Sequence, residues 1–300
     1  MRRVRDVVIV AAAGGLALSI AGHTMIPDIA GAGTLLDSAA PWLGLMIPLL
    51  LVAGLVLQAR TTLAMLIPAL VWCLVFGANL LPHASAATGN MRVVSQNLYA
   101  SNDNPAATAA DLAATNADVV GVQELTDPGR RAIATVLGDD HPHHATIGTV
   151  GVWSRYPITE VDRVDLGLGW TRALRARLHT PHGPIEVYVV HLPSLRPESI
   201  DQRNQALDEL ADALRTDNSS RAIVLGDFNT ASSDRAMQRL PSKARAVRQD
   251  TGSGFGFTWP ARFPLVRLDH ILQWGLHPTD TNTIHTRGTD HRAVLADFTA

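Results

Sequence analysis

The order of apolar and polar positions divides the chain in two. Three long apolar runs, at 7–26, 42–57 and 62–81, fill its N-terminal part. Each is near the ~20 residues that a helix needs to cross a ~30 Å hydrocarbon layer. The middle run is the shortest and reaches that length if residues 39–41 and Gln58 lie at the interface. Pro48 and Pro68 fall inside runs, which membrane spans tolerate. The pattern predicts three transmembrane helices within residues 1–82, with Trp42 as an interface anchor and Trp72 deeper in its span. Residues 82–90, "PHASAATGN", are small and polar and read as a short linker, with residues 83–90 leading into a third segment.

From residue 91 to residue 300 the pattern becomes short apolar runs separated by turns. "MRVVSQN", "ADVVGVQE", "IGTVGVWS", "ALRARLHT", "IEVYVVH", "RAIVLGD", "RLDHILQW" and "RAVLADF" are eight strand candidates rich in Val, Ile and Leu. "ESIDQRNQALDELADALRT" carries Ile200, Leu207, Leu210 and Leu214 at helical spacing. "NPAATAADLAATN" reads as a second helix, capped by Asn104 with Pro105 at its first position. Strands outnumber helices and the two are interleaved, so an α/β sandwich with a large mixed sheet system is expected.

Composition sharpens this division. Of 300 residues 47% are hydrophobic and only 17% charged, where roughly a quarter is usual. Residues 1–82 hold just Arg2, Arg3, Arg5, Asp6, Asp28, Asp37 and Arg60, leaving 21 basic and 24 acidic side chains for the rest. This excludes a protein soluble throughout, a disordered chain and a disulfide scaffold, the last because Cys73 is the only cysteine. The slight acidity of the second part speaks against a broad basic face for nucleic acid. Arginines precede the first run, Arg60 lies between the second and third, and the first loop carries only Asp28 and Asp37. The positive-inside rule then places the N-terminus in the cytoplasm and everything after the third span outside the cell membrane. Read as a signal peptide instead, the first run exports the globular part just the same.

The chemistry lies at strand ends. Apolar strands run into Asn97, Glu124, His191, and Asp227 with Asn229; Asp269 lies in "RLDHIL", and Asp290 with His291 in "GTDHRA". Such ends converge on one rim of a sheet. Oxygen donors with few histidines suit Mg²⁺ or Mn²⁺ better than Zn²⁺. Each residue has a plainer reading: a strand end for Glu124, an Asp/Asn turn for "GDFN", a capped loop for "TDH", a buried histidine for His191. Six such coincidences in one chain argue otherwise. Alternation turns His270 away from its neighbour Asp269. "HPHH" at 141–144 reads as a solvated polar loop, and Arg130 with Arg131 as a solvated helix face. Arg172 and Trp259 are weaker candidates for substrate binding, as a phosphate clamp and a cleft wall.

"QN", "QE", "HLPS", "GDFN", "RLDHI" and "TDH" resemble, in order and spacing, the endonuclease/exonuclease/phosphatase superfamily. That superfamily includes deoxyribonuclease-like nucleases, abasic-site nucleases, inositol-polyphosphate 5-phosphatases and neutral sphingomyelinases. The resemblance implies a deoxyribonuclease-like, four-layered αββα sandwich and Mg²⁺-dependent hydrolysis of phosphoesters. It further implies roles. Glu124 resembles the principal metal-binding carboxylate, with Asn97 and Asp290 assisting at the metal. Asp227 positions or deprotonates the attacking water, and Asn229 bonds a phosphoryl oxygen. Asp269 orients the catalytic His291, and His191 contacts the phosphate or leaving group. With its three-span front the chain also resembles bacterial teicoplanin-resistance membrane proteins, which are linked to undecaprenyl-pyrophosphate-type lipids.

The leading expectation is therefore a multi-pass membrane phosphohydrolase with partners in the bilayer and in a phosphorylated lipid, acting on phosphoester or pyrophosphate bonds. A surface nuclease or phosphodiesterase on nucleic acid follows, then a sphingomyelinase-type activity, and last a non-catalytic membrane module. No protein partner is evident. Loops 166–171 and 251–263 are expected to set the substrate: an apolar flank favours lipid, a strip of arginines nucleic acid.

Overall fold

The computed structural model describes residues 2–82 and 88–299; residues 83–87, most of the expected linker, lie outside the described residues. The chain divides into two compact units, Met1–Leu81 with Ser232–Arg235, and Pro82–Ala231 with Ala236–Ala300. The first holds helices α1 (Arg2–Gly22), α2 (Ala32–Ala39), α3 (Met46–Val56) and α4 (Leu66–Phe76), several extended by 3-10 turns. Three stretches, Arg3–Met25, Ala32–Val56 and Thr62–Leu80, are long and apolar enough to cross a membrane. The middle one starts well before the apolar run, at Ala32 after Gly31, and Asp28 accepts bonds from the amide and hydroxyl of Thr34 in its first turn. Pro48 and Pro68 each fall in the first turn of an α-helix, where no intrahelical N–H bond is lost. Leu18, Leu49, Leu55, Leu63, Leu70 and Leu74 are all more than half exposed.

The second unit has two six-stranded mixed sheets. One runs β11(His277–Ile284), β12(Ala293–Thr299), β1(Met91–Asn97), β2(Val119–Gln123), β4(Val150–Ser154), β3(His143–Ile147). The other runs β5(Ile158–Arg163), β6(Ala173–Thr180), β7(Gly183–His191), β8(Ala222–Asp227), β10(Asp269–Trp274), β9(Arg245–Ala246). Eight of the twelve strands are those expected. The other four, β3, β5, β9 and β11, are the four sheet edges. Edge strands carry polar side chains that discourage pairing with other chains, and so lack the apolar signature. The "HPHH" expectation is corrected here. His141 is buried with Nε2 2.8 Å from the Ala117 carbonyl, and His143 and His144 open β3.

Alternation builds the layers. Val93, Val187, Val189, Ile223, Leu225 and Ile271 face the space between the sheets. Tyr188, Val190 and Val224 face outward onto Leu207, Leu210 and Leu214 of α7 (Ile200–Thr216). On the other side Val94, Val120 and Val122 pack with Leu112 of α5 (Pro105–Ala113) and Ile133 and Leu137 of α6 (Asp127–Leu137). Helix, sheet, sheet and helix thus form four layers. Strands buried on both faces are apolar over most of their length, as in "VVGV" of β2 and "AIVLG" of β8.

Candidate active site

Each sheet delivers three neighbouring strand ends to one place. In the second sheet His191 and Asp227 pair across the parallel β7 and β8, and Asp227 pairs with Asp269 across the antiparallel β8 and β10. All three continue the odd-numbered, inward-facing register of Val189, Leu225 and Ile271, so the step of two that fills the core also places the site at its end. In the first sheet β12, β1 and β2 are neighbours and bring His291, Asn97 and Glu124. Glycine is needed in "GDFN": at φ +150° a Cβ on Gly226 would lie 1.9 Å from the Val190 carbonyl oxygen. Glu124 and Asn229 both have left-handed backbone, φ +53° and +46°, uncommon away from glycine and worth reading as functional strain.

Asn97 joins the two sheets. Its Nδ2 donates to Glu124 Oε1 at 3.1 Å and to Asp227 Oδ2 at 2.9 Å, while its Oδ1 accepts from the Tyr99 amide. It therefore bridges the two carboxylates. Asn229 likewise turns inward, its Nδ2 donating to the Leu192 carbonyl and to Asp227 Oδ2, and its amide to Asp227 Oδ1. His291 Nδ1 donates to Asp269 Oδ2 at 2.8 Å, and its Nε2 lies 3.8 Å from Asp227 Oδ2. His191 Nε2 lies 3.7 Å from Glu124 Oε1 and 3.8 Å from Asp227 Oδ2. Arg172 rests on this histidine, Nη2 within 2.7 Å of Nδ1 and 2.5 Å of Nε2. Asp290 stands apart from these donors: its Oδ2 accepts from Trp259 Nε1 at 3.3 Å, which puts both at the rim.

Two donor groups result, Glu124 with His191 and Asp227, and Asp227 with Asp269 and His291; in each the donor atoms lie within 4.8 Å of one another. The first fits a hard divalent ion. It offers two carboxylates and an imidazole at spacings a single ion can bridge, and the Glu124 side chain is 26% exposed, open to solvent. In the second, Asp269 is already committed to His291. Burial works against a charged His291, but Asp269 and Asp227 more than offset it and raise the ring to about 10. Burial, then the charge of Asp269, lifts Asp227 to about 7 against the pull of His291. Burial first, then Arg172 and His291, holds His191 well below its usual value, so it stays neutral.

Three supporting residues were not singled out from the sequence. Gln96 Nε2 donates to the His291 carbonyl, Thr289 Oγ1 to the Asn97 carbonyl, and Thr258 Oγ1 accepts from the Leu268 and Asp269 amides. "SQN" and "TDH" contained two of them. His270 faces the opposite way from Asp269, as expected, with Nε2 2.9 Å from the Thr230 carbonyl.

A two-sheet sandwich with acidic and imidazole groups that could hold a divalent cation is the architecture of the deoxyribonuclease-like kind. Residues 94–291 match the Endonuclease/Exonuclease/phosphatase family. The chain belongs to that family, whose members are metal-dependent hydrolases of phosphoester bonds. No curated protein matches it. Among solved structures it is similar to D. rerio TDP2 complexed with single strand DNA product, 18% identical, with 70% of this chain and 99% of that one covered and a TM-score of 0.60. A Staphylococcus aureus beta toxin mutant with bound magnesium ions is 12% identical over 70% and 99%, TM-score 0.56. Sphingomyelinase C from Streptomyces griseocarneus is 14% identical over 70% and 99%, TM-score 0.52. These likenesses concern the fold.

Proposed function

We propose that this chain is a membrane-anchored phosphohydrolase, dependent on Mg²⁺ or Mn²⁺, that cleaves phosphoester or pyrophosphate bonds of lipid-linked phosphates at the outer membrane face. The convergence of Glu124, His191, Asp227 and His291 from separate strands carries the hydrolytic reading. The three candidate spans on the same chain support a lipid substrate, since a tether raises the site's effective concentration at the bilayer. The resemblance to teicoplanin-resistance membrane proteins points the same way.

In this reading Glu124, Asp227 and His191 would hold the ion. When bound, it offsets phosphate charge and makes the attacking water more acidic. Asp227, whose carboxyl is raised by burial, positions that water. His291 is cationic at neutral pH and fixed by Asp269, so it faces the charge that grows on the phosphoryl oxygens. Arg172, largely buried beside Asp227 and Glu124, adds a second fixed positive charge. His191 stays neutral and contributes orientation rather than charge. Trp259 lines the cleft, and Asp290 acts through it.

The purified full chain with Mg²⁺, offered a polyprenyl pyrophosphate and plasmid DNA side by side, tests this. Phosphate release from the lipid, lost in Asp227→Ala, is the expected result. DNA nicking with the lipid left whole would transfer the chain to the nuclease reading, whose fold likeness is to TDP2 with its single-strand DNA product.

A further inference from the structure

Exposed apolar side chains on the second unit are few and clustered by position. Among its described residues six large ones are exposed: Tyr99, Val161, Trp170, Trp259, Phe263 and Leu265. Single exposed apolar residues are ordinary on any protein. Here all but Val161 connect to the catalytic groups. Tyr99 donates its amide to Asn97. Trp170 lies under the Arg172 guanidinium at 4.8 Å, and Arg172 touches His191. Trp259 bonds Asp290, the neighbour of His291. Phe263, 70% exposed, and Leu265 belong to a hairpin closed by the Trp259–Val266 bridge. That hairpin is firmly anchored: the Ala261 amide donates to the Asp290 carbonyl, Arg292 Nε to the Ala261 carbonyl, and the Arg292 amide to the Thr258 carbonyl. It is a fixed apolar projection beside His291, with exposed Arg262 next to Phe263.

We infer that the hairpin Trp259–Val266, with Trp170 and Tyr99, is an interfacial lip that seats the mouth of the active site on a lipid bilayer. This rests on the membrane reading above. Aromatic rings next to an arginine are the composition favoured at the headgroup boundary, where the ring is buried and the cation meets phosphate. The occupant is a bilayer surface because the same chain supplies one. Three stretches of the same chain are long and apolar enough to cross a bilayer. Exposed apolar side chains thus flank the mouth beside Arg172 and Arg262, an arrangement that favours lipid over nucleic acid.

The full chain in lipid nanodiscs tests the lip. Phe263→Cys in a Cys73→Ser background carries an environment-sensitive fluorophore, and its emission is compared with and without dibrominated phosphatidylcholine. Quenching by about half is expected for a group a few ångströms below the headgroups; equal emission overturns the inference. In parallel, Phe263→Ser/Leu265→Ser is assayed on soluble bis(p-nitrophenyl) phosphate and on polyprenyl pyrophosphate held in the nanodisc. The soluble rate is expected to stay, and the embedded rate to fall about tenfold, since binding energy from remote groups is spent on the reaction. Equal loss on both, or on neither, overturns it. A quenched fluorophore in a protein that cuts only DNA sinks the lipid substrate and leaves the lip. An unquenched one in a protein that hydrolyses the lipid does the reverse.

Discussion

Replacing His270 separates packing from protonation at a position that ties two motifs together. Its ring is 1% exposed, meets Phe228 edge-on at 5.3 Å, and donates to the Thr230 carbonyl, so "LDHI" is fastened to the segment after "GDFN". Burial first, then the neighbouring Arg267, lowers its pKa from 6.5 to about 3. As pH falls, the unfolded chain takes up a proton near 6.5, while the folded chain resists until about 3. The contribution of this neutral histidine to stability is therefore complete above 6.5 and is withdrawn as pH falls through the window from 6.5 toward 3. Between pH 7.5 and 5 the loss integrates to about 2 kcal/mol, or about 4–8 °C in Tm for a domain of this size. Thermal unfolding of the full chain in detergent, followed by near-ultraviolet circular dichroism, measures it. His270→Gln keeps a donor for Thr230 and lacks the titration. It should be the less stable protein at pH 7.5, with the gap to the native chain narrowing by about 2 kcal/mol at pH 5. Parallel pH profiles for the two proteins would refute the reasoning.

Other outcomes follow from the same geometry. Asp269→Asn should lower turnover by about 10²–10⁴-fold with little change in fold, checked by steady-state kinetics and circular dichroism, because His291 loses the partner that fixes and charges it. Gly226→Ala should cost about 3 kcal/mol or more, read as a lowered Tm, since its Cβ would meet the Val190 carbonyl. EDTA should abolish hydrolysis and added Mg²⁺ or Mn²⁺ should restore it. Glu124→Gln should shift the metal concentration for half-maximal activity upward by about tenfold or more.

The interior strands were readable because burial on both faces makes most positions apolar, and the polar residues that end these runs stand out against them. The same contrast hid the edges. β11, "HPTDTNTI", and β3, "HHATI", carry side chains chosen to face water, and only pairing with β12 and β4 makes them strands. His141 was misread for a related reason: its bond to the Ala117 carbonyl comes from a distant turn. At the site, strand-end position picked out Glu124, Asp227, Asp269 and both histidines, whose donor atoms the fold brings together. It could not orient Asn97 or Asp290, because the step of two fixes which face a residue takes and not which atom it turns to its neighbours. Gln96, Thr258 and Thr289 escaped notice since they act through backbone groups that have no sequence signal.

β1 lies between β2 and β12, so the first strand of the hydrolytic domain is zipped to its last. During synthesis the ribosome must release almost the whole domain before His291 can reach Asp269, and long-range pairing of this sort is slow. A growing chain thus holds its carboxylates before the histidine that joins them has been made. The arrangement closes only when the final strand pairs with the first.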